Sequence, residues 1–102
     1  GVWAQIRLEE TGGGLRAPGD SVLLSCRGYG FRFADTSVWF YRQAAGGTLD
    51  WVSYISFDSS VAKFVQSVES RASASRNNSH SESSLSLRAL QPQDSGRYFY
   101  TV

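Results

Sequence analysis

The sequence predicts an all-β domain folded as a two-layer sandwich, and three observations carry that reading. Roughly eight short strand-like segments are separated by turn signals. No stretch holds a helical period. The clearest alternation runs from Val38 to Gln43 and sends Val38, Phe40 and Arg42 to one face, with Trp39, Tyr41 and Gln43 on the other.

Each element has its own reason. Gln5-Ile6-Arg7-Leu8-Glu9-Glu10 alternates, and Gly12-Gly13-Gly14 then lets the backbone bend or change partner. Pro18-Gly19-Asp20 is a turn, since proline fixes its first position and glycine tolerates the next. Ser21 to Cys26 reads as a strand with Val22, Leu24 and Cys26 inward. Arg27 to Ser37 is a polar, glycine-rich loop pinned by embedded Phe31 and Phe33. After the Val38–Gln43 strand, Ala44 to Thr48 turns the chain into Leu49–Ser53, which closes a hairpin. Tyr54-Ile55-Ser56-Phe57 continues this strand to the polar tip Asp58-Ser59-Ser60, and Val61 to Phe64 returns. Ser67 to Ser70 bends. Arg71 to Ser75 alternates weakly with only alanine on its core face, and Asn77 to Glu82 is a polar turn. Ser83 to Leu90 alternates through Leu85 and Leu87, Gln91 to Gly96 is a bend, and Arg97 to Val102 is a last strand.

The bulk numbers narrow the function. A chain of 102 residues is one domain with a single core and little margin. Its net charge of +1 is too balanced for a nucleic-acid or acidic-membrane partner. No apolar run approaches a membrane span. With Cys26 and His80 each the only residue of its type, an internal disulfide, a histidine metal cluster and a cysteine zinc site are excluded on inventory, so no metal or cofactor is expected. Cys26 faces an apolar interior and reads as an inert thiol. Ser79-His80-Ser81-Glu82 contains the types of a catalytic set, but neighbours on a turn point apart and form no relay. Gly12-Gly13-Gly14 is followed by neither lysine nor helix, so it is no phosphate cradle. An enzyme is not expected. Asn77-Asn78-Ser79 is a glycosylation sequon on an exposed turn, relevant if the chain is secreted.

Blocks spread over nearly the whole chain carry a family resemblance. Glu10 to Leu15, Pro18 to Ser21, Leu24-Ser25-Cys26, Arg42-Gln43-Ala44, Leu49 to Ile55, Ser67-Val68 and Asp94 to Tyr98 resemble the framework of an immunoglobulin heavy-chain variable domain. T-cell-receptor variable domains are close relatives, and Tyr41-Arg42-Gln43 leans their way. The resemblance implies a V-set immunoglobulin-like β-sandwich spanning 5–102, truncated before its final strand and lacking the third hypervariable loop. It implies antigen recognition in adaptive immunity by an extracellular domain, secreted or displayed on the plasma membrane within an immunoglobulin complex. The partners would be a protein antigen and a light-chain-type variable domain. The alternatives are an innate receptor or adhesion domain of the same type and a non-productive germline segment product.

Residue by residue, the resemblance places Arg32, Phe33, Asp35, Thr36 and Ser37 in the first antigen-binding loop, and Tyr54, Ser56, Phe57, Asp58, Ser59 and Ser60 in or beside the second. Phe57 among adaptable polar groups suits a binding tip. Tyr41, Gln43, Leu49, Trp51 and Phe99 match positions that pack on a partner domain; packing under the chain's own missing loop is the other reading of that face. Trp39 reads equally as antigen floor or as filler. Cys26, Phe40, Tyr98 and Tyr100 form the structural core, with Tyr98 as a tyrosine corner and Arg71 and Asp94 as an ion pair at its edge. Glu10 matches a carboxylate that accepts backbone amides inside the sandwich.

The departures matter as much. The family's second cysteine falls at Tyr100, its core tryptophan at Phe40, and large apolar residues are usual at Ala72, Ala74 and Ser83. Losing the disulfide costs about 2–5 kcal/mol and each core truncation about 2–5 kcal/mol, against a total of about 5–15 kcal/mol. Marginal stability is the expectation, relieved where Tyr100 fills vacated volume. Gly1 to Ala4 resembles a leader remnant, although four unstructured terminal residues fit equally, and the stop at Val102 resembles the end of an unrearranged variable gene segment.

Overall fold

Alternating segments become strands wherever they can bury one face, and the computed structural model, which describes residues 5–102, contains eight of them. They are β1 (Arg7–Gly12), β2 (Val22–Tyr29), β3 (Val38–Gln43), β4 (Leu49–Ile55), β5 (Ala62–Phe64), β6 (Ala72–Asn77), β7 (Glu82–Leu87) and β8 (Arg97–Thr101). Short 3₁₀ turns at Phe33–Asp35, Glu69–Arg71, Asn78–His80 and Pro92–Asp94 join some of them. The expected leader remnant, Gly1 to Ala4, lies outside the described residues. No helix among the described residues is long and apolar enough to cross a membrane.

The strands form two antiparallel four-stranded sheets, ordered β1-β2-β7-β6 and β5-β4-β3-β8, which enclose one core. This is an all-β, sandwich-like architecture. Phe40 and Val38 of β3, Cys26 of β2, Leu85 and Leu87 of β7 and Tyr100 of β8 are buried between the layers. The Tyr100 ring stands 4.4 Å from that of Phe40, and its hydroxyl crosses to the other sheet to donate to the Leu24 carbonyl at 2.7 Å. A tyrosine therefore links the two layers where the resemblance leaves Cys26 without a partner. Ala72 and Ala74 supply little volume on β6, and they pack half-buried against the core. Ser83, fully buried between Cys26 of β2 and Arg76 of β6, donates its hydroxyl to the Ser75 carbonyl at 2.9 Å.

Local chemistry sets the strand ends. Gly12, Gly13 and Gly14 all hold positive φ, and a Cβ on Gly12 would sit 2.2 Å from the Leu23 carbonyl oxygen. Asp20 closes its turn by donating its amide to the Ala17 carbonyl, while its carboxylate accepts the Ala17 amide. The turn after β6 is tighter than the sequence suggests: Asn77 ends the strand, its side chain accepts the Ser79 amide, and Ser81 reverses the chain at φ 53°. β4 and β3 change register between Phe40 and Tyr41. Phe40 faces Ser53 but Tyr41 faces Trp51, which leaves Val52 as an extra, buried residue.

Opposite the 3₁₀ turn at Phe33–Asp35, the base of the sandwich is tied by polar bonds. Arg71 grips Asp94 with two contacts of 2.6 and 2.7 Å, and both side chains are buried. The Asp94 carboxylate also accepts the Gln91 amide, and the Tyr98 hydroxyl donates to the Asp94 carbonyl. Glu10 departs from its expected interior setting. It accepts the Tyr100 amide at 3.0 Å, but it is exposed, because no strand among the described residues covers the outer edge of β8 beside it.

Candidate recognition surface

An arginine at the end of β6 organises one end of the sandwich. Ala72, Ala74 and Arg76 share the inward parity of this strand, so Arg76 points between the layers at their rim. Its Nη2 donates to the Phe33 carbonyl and its Nη1 to the Ser56 carbonyl, both at 2.9 Å, while Nε donates to Asn78 Oδ1 at 2.7 Å. The guanidinium lies 4.7 Å from the centroid of the Phe33 ring. Burial pushes its pKa below the usual arginine value, yet a guanidinium so placed stays charged. Asn78 completes the tie by donating to the Phe57 carbonyl at 2.8 Å. One fork therefore holds the Arg32–Ser37 and Ser56–Ser60 loops side by side. The sequence reading passed over Arg76, although an arginine on the core parity of an alternating strand is a visible signal.

The two loops are rigid for different reasons. In the first, the Thr36 amide and hydroxyl both donate to the Phe33 carbonyl, and an exposed Arg32–Asp35 pair spans the turn at 3.1 Å. In the second, Asp58 Oδ1 accepts from the Ser56 hydroxyl, the Ser60 amide and the Ser60 hydroxyl at 2.6–3.0 Å. The Ser60 hydroxyl and amide, followed by the Ser56 hydroxyl, hold the Asp58 carboxyl down to about 2.

Not every residue expected to face a ligand does so. Phe33 is only 2% exposed: its ring packs near Phe31 and under Arg76, so it is core, placed there to anchor the loop. A Cβ on Gly28 would stand under 3 Å from both rings, which is why β2 carries glycine beneath them. Ser56 is likewise buried, and its hydroxyl accepts the Val61 amide to close the hairpin tip. Thr36, Ser37 and Tyr54 are half-buried, with the Tyr54 and Ser37 hydroxyls 3.0 Å apart. Arg32, Asp35, Phe57, Asp58, Ser59 and Ser60 form the exposed tips, and Phe57 is 52% exposed.

The second surface is the outer face of β4, β3 and β8. Registers align its side chains in rows: Thr101, Trp39 and Tyr54; then Phe99, Tyr41 and Trp51; then Arg97, Gln43 and Leu49. The Trp39 ring packs tilted against Tyr54, with centroids 4.5 Å apart, and Trp51 donates its indole NH to the Ser53 carbonyl. Arg97 lies over Phe99 at 5.1 Å and carries the only charge in these rows. The bulge at Val52 brings Trp51 opposite Tyr41, so the face is one contiguous aromatic surface flanked by half-exposed Leu49.

No group of three or more potential metal-ligating side chains occurs among the described residues. Burial pushes the Cys26 thiol up to about 12, so it is protonated and a poor nucleophile. His80 lies exposed on its turn beside Asn77. At the tied base, a cavity of about 380 Å³ opens between Gly13–Pro18 and β8, floored by Val22, Leu24, Leu87 and Leu90. Its lining includes Asp94, whose carboxylate is already held by Arg71 and the Gln91 amide. No protein-family model matches this chain.

Proposed function

We propose that the chain is a recognition module of the immunoglobulin variable type, heavy-chain-like. It would grip a protein antigen with its two tied loops and pair through its aromatic sheet face with a light-chain-type variable domain. The observation that carries this reading is the single Arg76 fork, which fixes both loops at one end of two facing sheets. Backbone carbonyls held by a rigid cation present exposed Phe57 and Asp58 in a fixed pose, which lowers the ordering cost of binding. The face of Phe99, Tyr41, Trp51 and Leu49 adds the apolar area and low charge of an interface centre. Such a domain works outside the cell, by contact rather than by reaction.

The test is association with a light-chain-type variable domain, followed by sedimentation. A one-to-one complex that Tyr41→Lys and Trp51→Asp abolish, with the thermal midpoint unchanged, supports the pairing. A chain that ignores such domains while remaining folded overturns it. A second reading draws on Trp39 and Tyr54, which extend the aromatic face unbroken toward the loops. A cell-surface receptor domain would use that whole face directly on its ligand, and Trp39→Ser would then weaken ligand binding as much as Trp51→Asp does.

A further inference from the structure

Four strands lie at the edges of the two sheets, and they are protected unequally. β1 carries Arg7, Glu9 and Glu10; β5 is three residues long and contains Lys63; β8 carries Arg97 and has its Tyr100 amide capped by Glu10. β6 pairs only with β7, and over Ala72-Ser73-Ala74-Ser75 its other edge has no side chain larger than serine, no charge and no proline. Arg76, the charge on this strand, is drawn inward onto the Phe33 and Ser56 carbonyls. Such an edge is a template for pairing with another strand. At its end stands Asn77, exposed, on the outward parity of the strand and first in the sequon Asn77-Asn78-Ser79.

The side chain of Asn77 holds its carbonyl oxygen and leaves its nitrogen only partly engaged. Its Oδ1 accepts both the Ser79 hydroxyl, at 2.6 Å, and the Ser79 amide, at 3.2 Å. Its Nδ2 lies 3.2 Å from His80 Nδ1, a contact that occupies one of the two amide hydrogens. A sugar would replace one of these two hydrogens.

We propose that Asn77 carries an N-linked oligosaccharide and that this glycan guards the bare β6 edge against edge-to-edge association. In the transfer, Nδ2 forms a bond to the anomeric carbon of a lipid-pyrophosphate-linked oligosaccharide. The anomeric C–O bond breaks, the lipid pyrophosphate leaves with its electron pair, and the amide gives up one proton. One hydrogen remains on the amide after the transfer. From the end of β6 the core sugars extend over solvent beside the edge, where an incoming strand would need to lie.

The chain is expressed in eukaryotic cells behind a heterologous signal peptide, so that its natural targeting does not enter the result. Intracellular and secreted fractions are both read, because the sugar is added during synthesis whether or not the product is exported. Peptide-N-glycosidase should lower the mass of the parent, converting the acceptor to aspartate. Asn77→Gln and Ser79→Ala should show no such shift, and Ser79→Thr should retain it. A parent of unmodified mass in both fractions overturns the site. For the guard role, glycan-free protein should self-associate with rising concentration in sedimentation velocity while the glycosylated form stays monomeric. Ser73→Lys, which charges the edge, should return the glycan-free protein to monomer. Glycan-free protein that stays monomeric, or association that Ser73→Lys leaves intact, overturns the guard role.

Discussion

Tyr100→Cys tests the centre of the sandwich. Cys26 is 1% exposed in one sheet and Tyr100 is 8% exposed in the other, and the tyrosine hydroxyl already reaches the strand of Cys26. The reduced variant loses a buried aromatic ring, about 3–5 kcal/mol, and the bond to the Leu24 carbonyl, about 1 kcal/mol. It should therefore be about 4–6 kcal/mol less stable than the parent, enough to unfold a marginal domain. The oxidised variant regains a cross-link closing the chain from residue 26 to residue 100, worth about 4.5 kcal/mol on the loop-entropy relation. Oxidised, it should return to within about 2 kcal/mol of the parent, the difference between these terms. The gap between redox states is the clean measurement, since both share one sequence. With urea slopes of about 1–3 kcal/mol/M, midpoints should separate by about 1.5–4.5 M. Urea unfolding followed by tryptophan fluorescence, with and without reductant and alongside thiol titration, reads both quantities. Two free thiols in a folded, oxidant-treated variant, or equal midpoints in both redox states, would refute the facing of positions 26 and 100.

Three further outcomes follow from the polar ties. Burial raises the Asp94 carboxyl, but the Arg71 bonds and the Gln91 amide outweigh it and hold its pKa below the usual carboxylate value. A depressed folded pKa contributes stability that is present above the unfolded value near pH 4 and is lost as pH falls through the folded one. Acid unfolding should therefore steepen below about pH 4, and Asp94→Asn should flatten that slope; Arg71→Ala, which strands a buried carboxylate, should cost about 3–5 kcal/mol in urea unfolding at pH 7. Arg76→Ala removes donors to Phe33, Ser56 and Asn78, so amide exchange should speed up together across Arg32–Ser37 and Ser56–Ser60 at a stability cost of about 1.5–3 kcal/mol. Arg76→Lys should not restore protection, because an ammonium lacks the planar fork. In a carbon-detected titration, the Asp58 carboxyl should stay ionised to about pH 2, and Ser60→Ala should move its titration upward.

Side-chain parity was readable because the pattern has period two. Val38 and Phe40 are buried while Trp39 and Gln43 are exposed, as the Val38–Gln43 alternation requires. The turns at Pro18-Gly19-Asp20 and Asn77–Glu82 were readable from residues with known turn chemistry, though the second is shorter than expected. The bulge at Val52 was not, because a register shift depends on two strands and the sequence displays one at a time. Its trace is the adjacent pair Trp51-Val52, which no strict alternation accommodates. The burial of Phe33 follows from an aromatic embedded in a polar loop, but the Arg76 fork that caps its ring and carbonyl comes from some forty residues away in sequence. Contacts across such separations leave no local period.

The ties at Arg71, Arg76, Ser83 and Tyr100 share a logic. Each donates a side-chain hydrogen bond to a backbone carbonyl: Arg71 to Ser67, Arg76 to Phe33 and Ser56, Ser83 to Ser75, Tyr100 to Leu24. Among the described residues, no deeply buried side-chain nitrogen or oxygen lacks a partner. Apolar packing is non-directional and tolerates slippage, whereas an arginine fork or a tyrosine hydroxyl bonds in one geometry. A small core stitched in this way trades stability for definition, because each bond adds only about 1 kcal/mol net while its loss strands a buried group. The two loops inherit that definition. Arg76 holds their carbonyls from above the buried Phe33 anchor, so changes at the end of β6 should loosen both loops before they unfold the sheets.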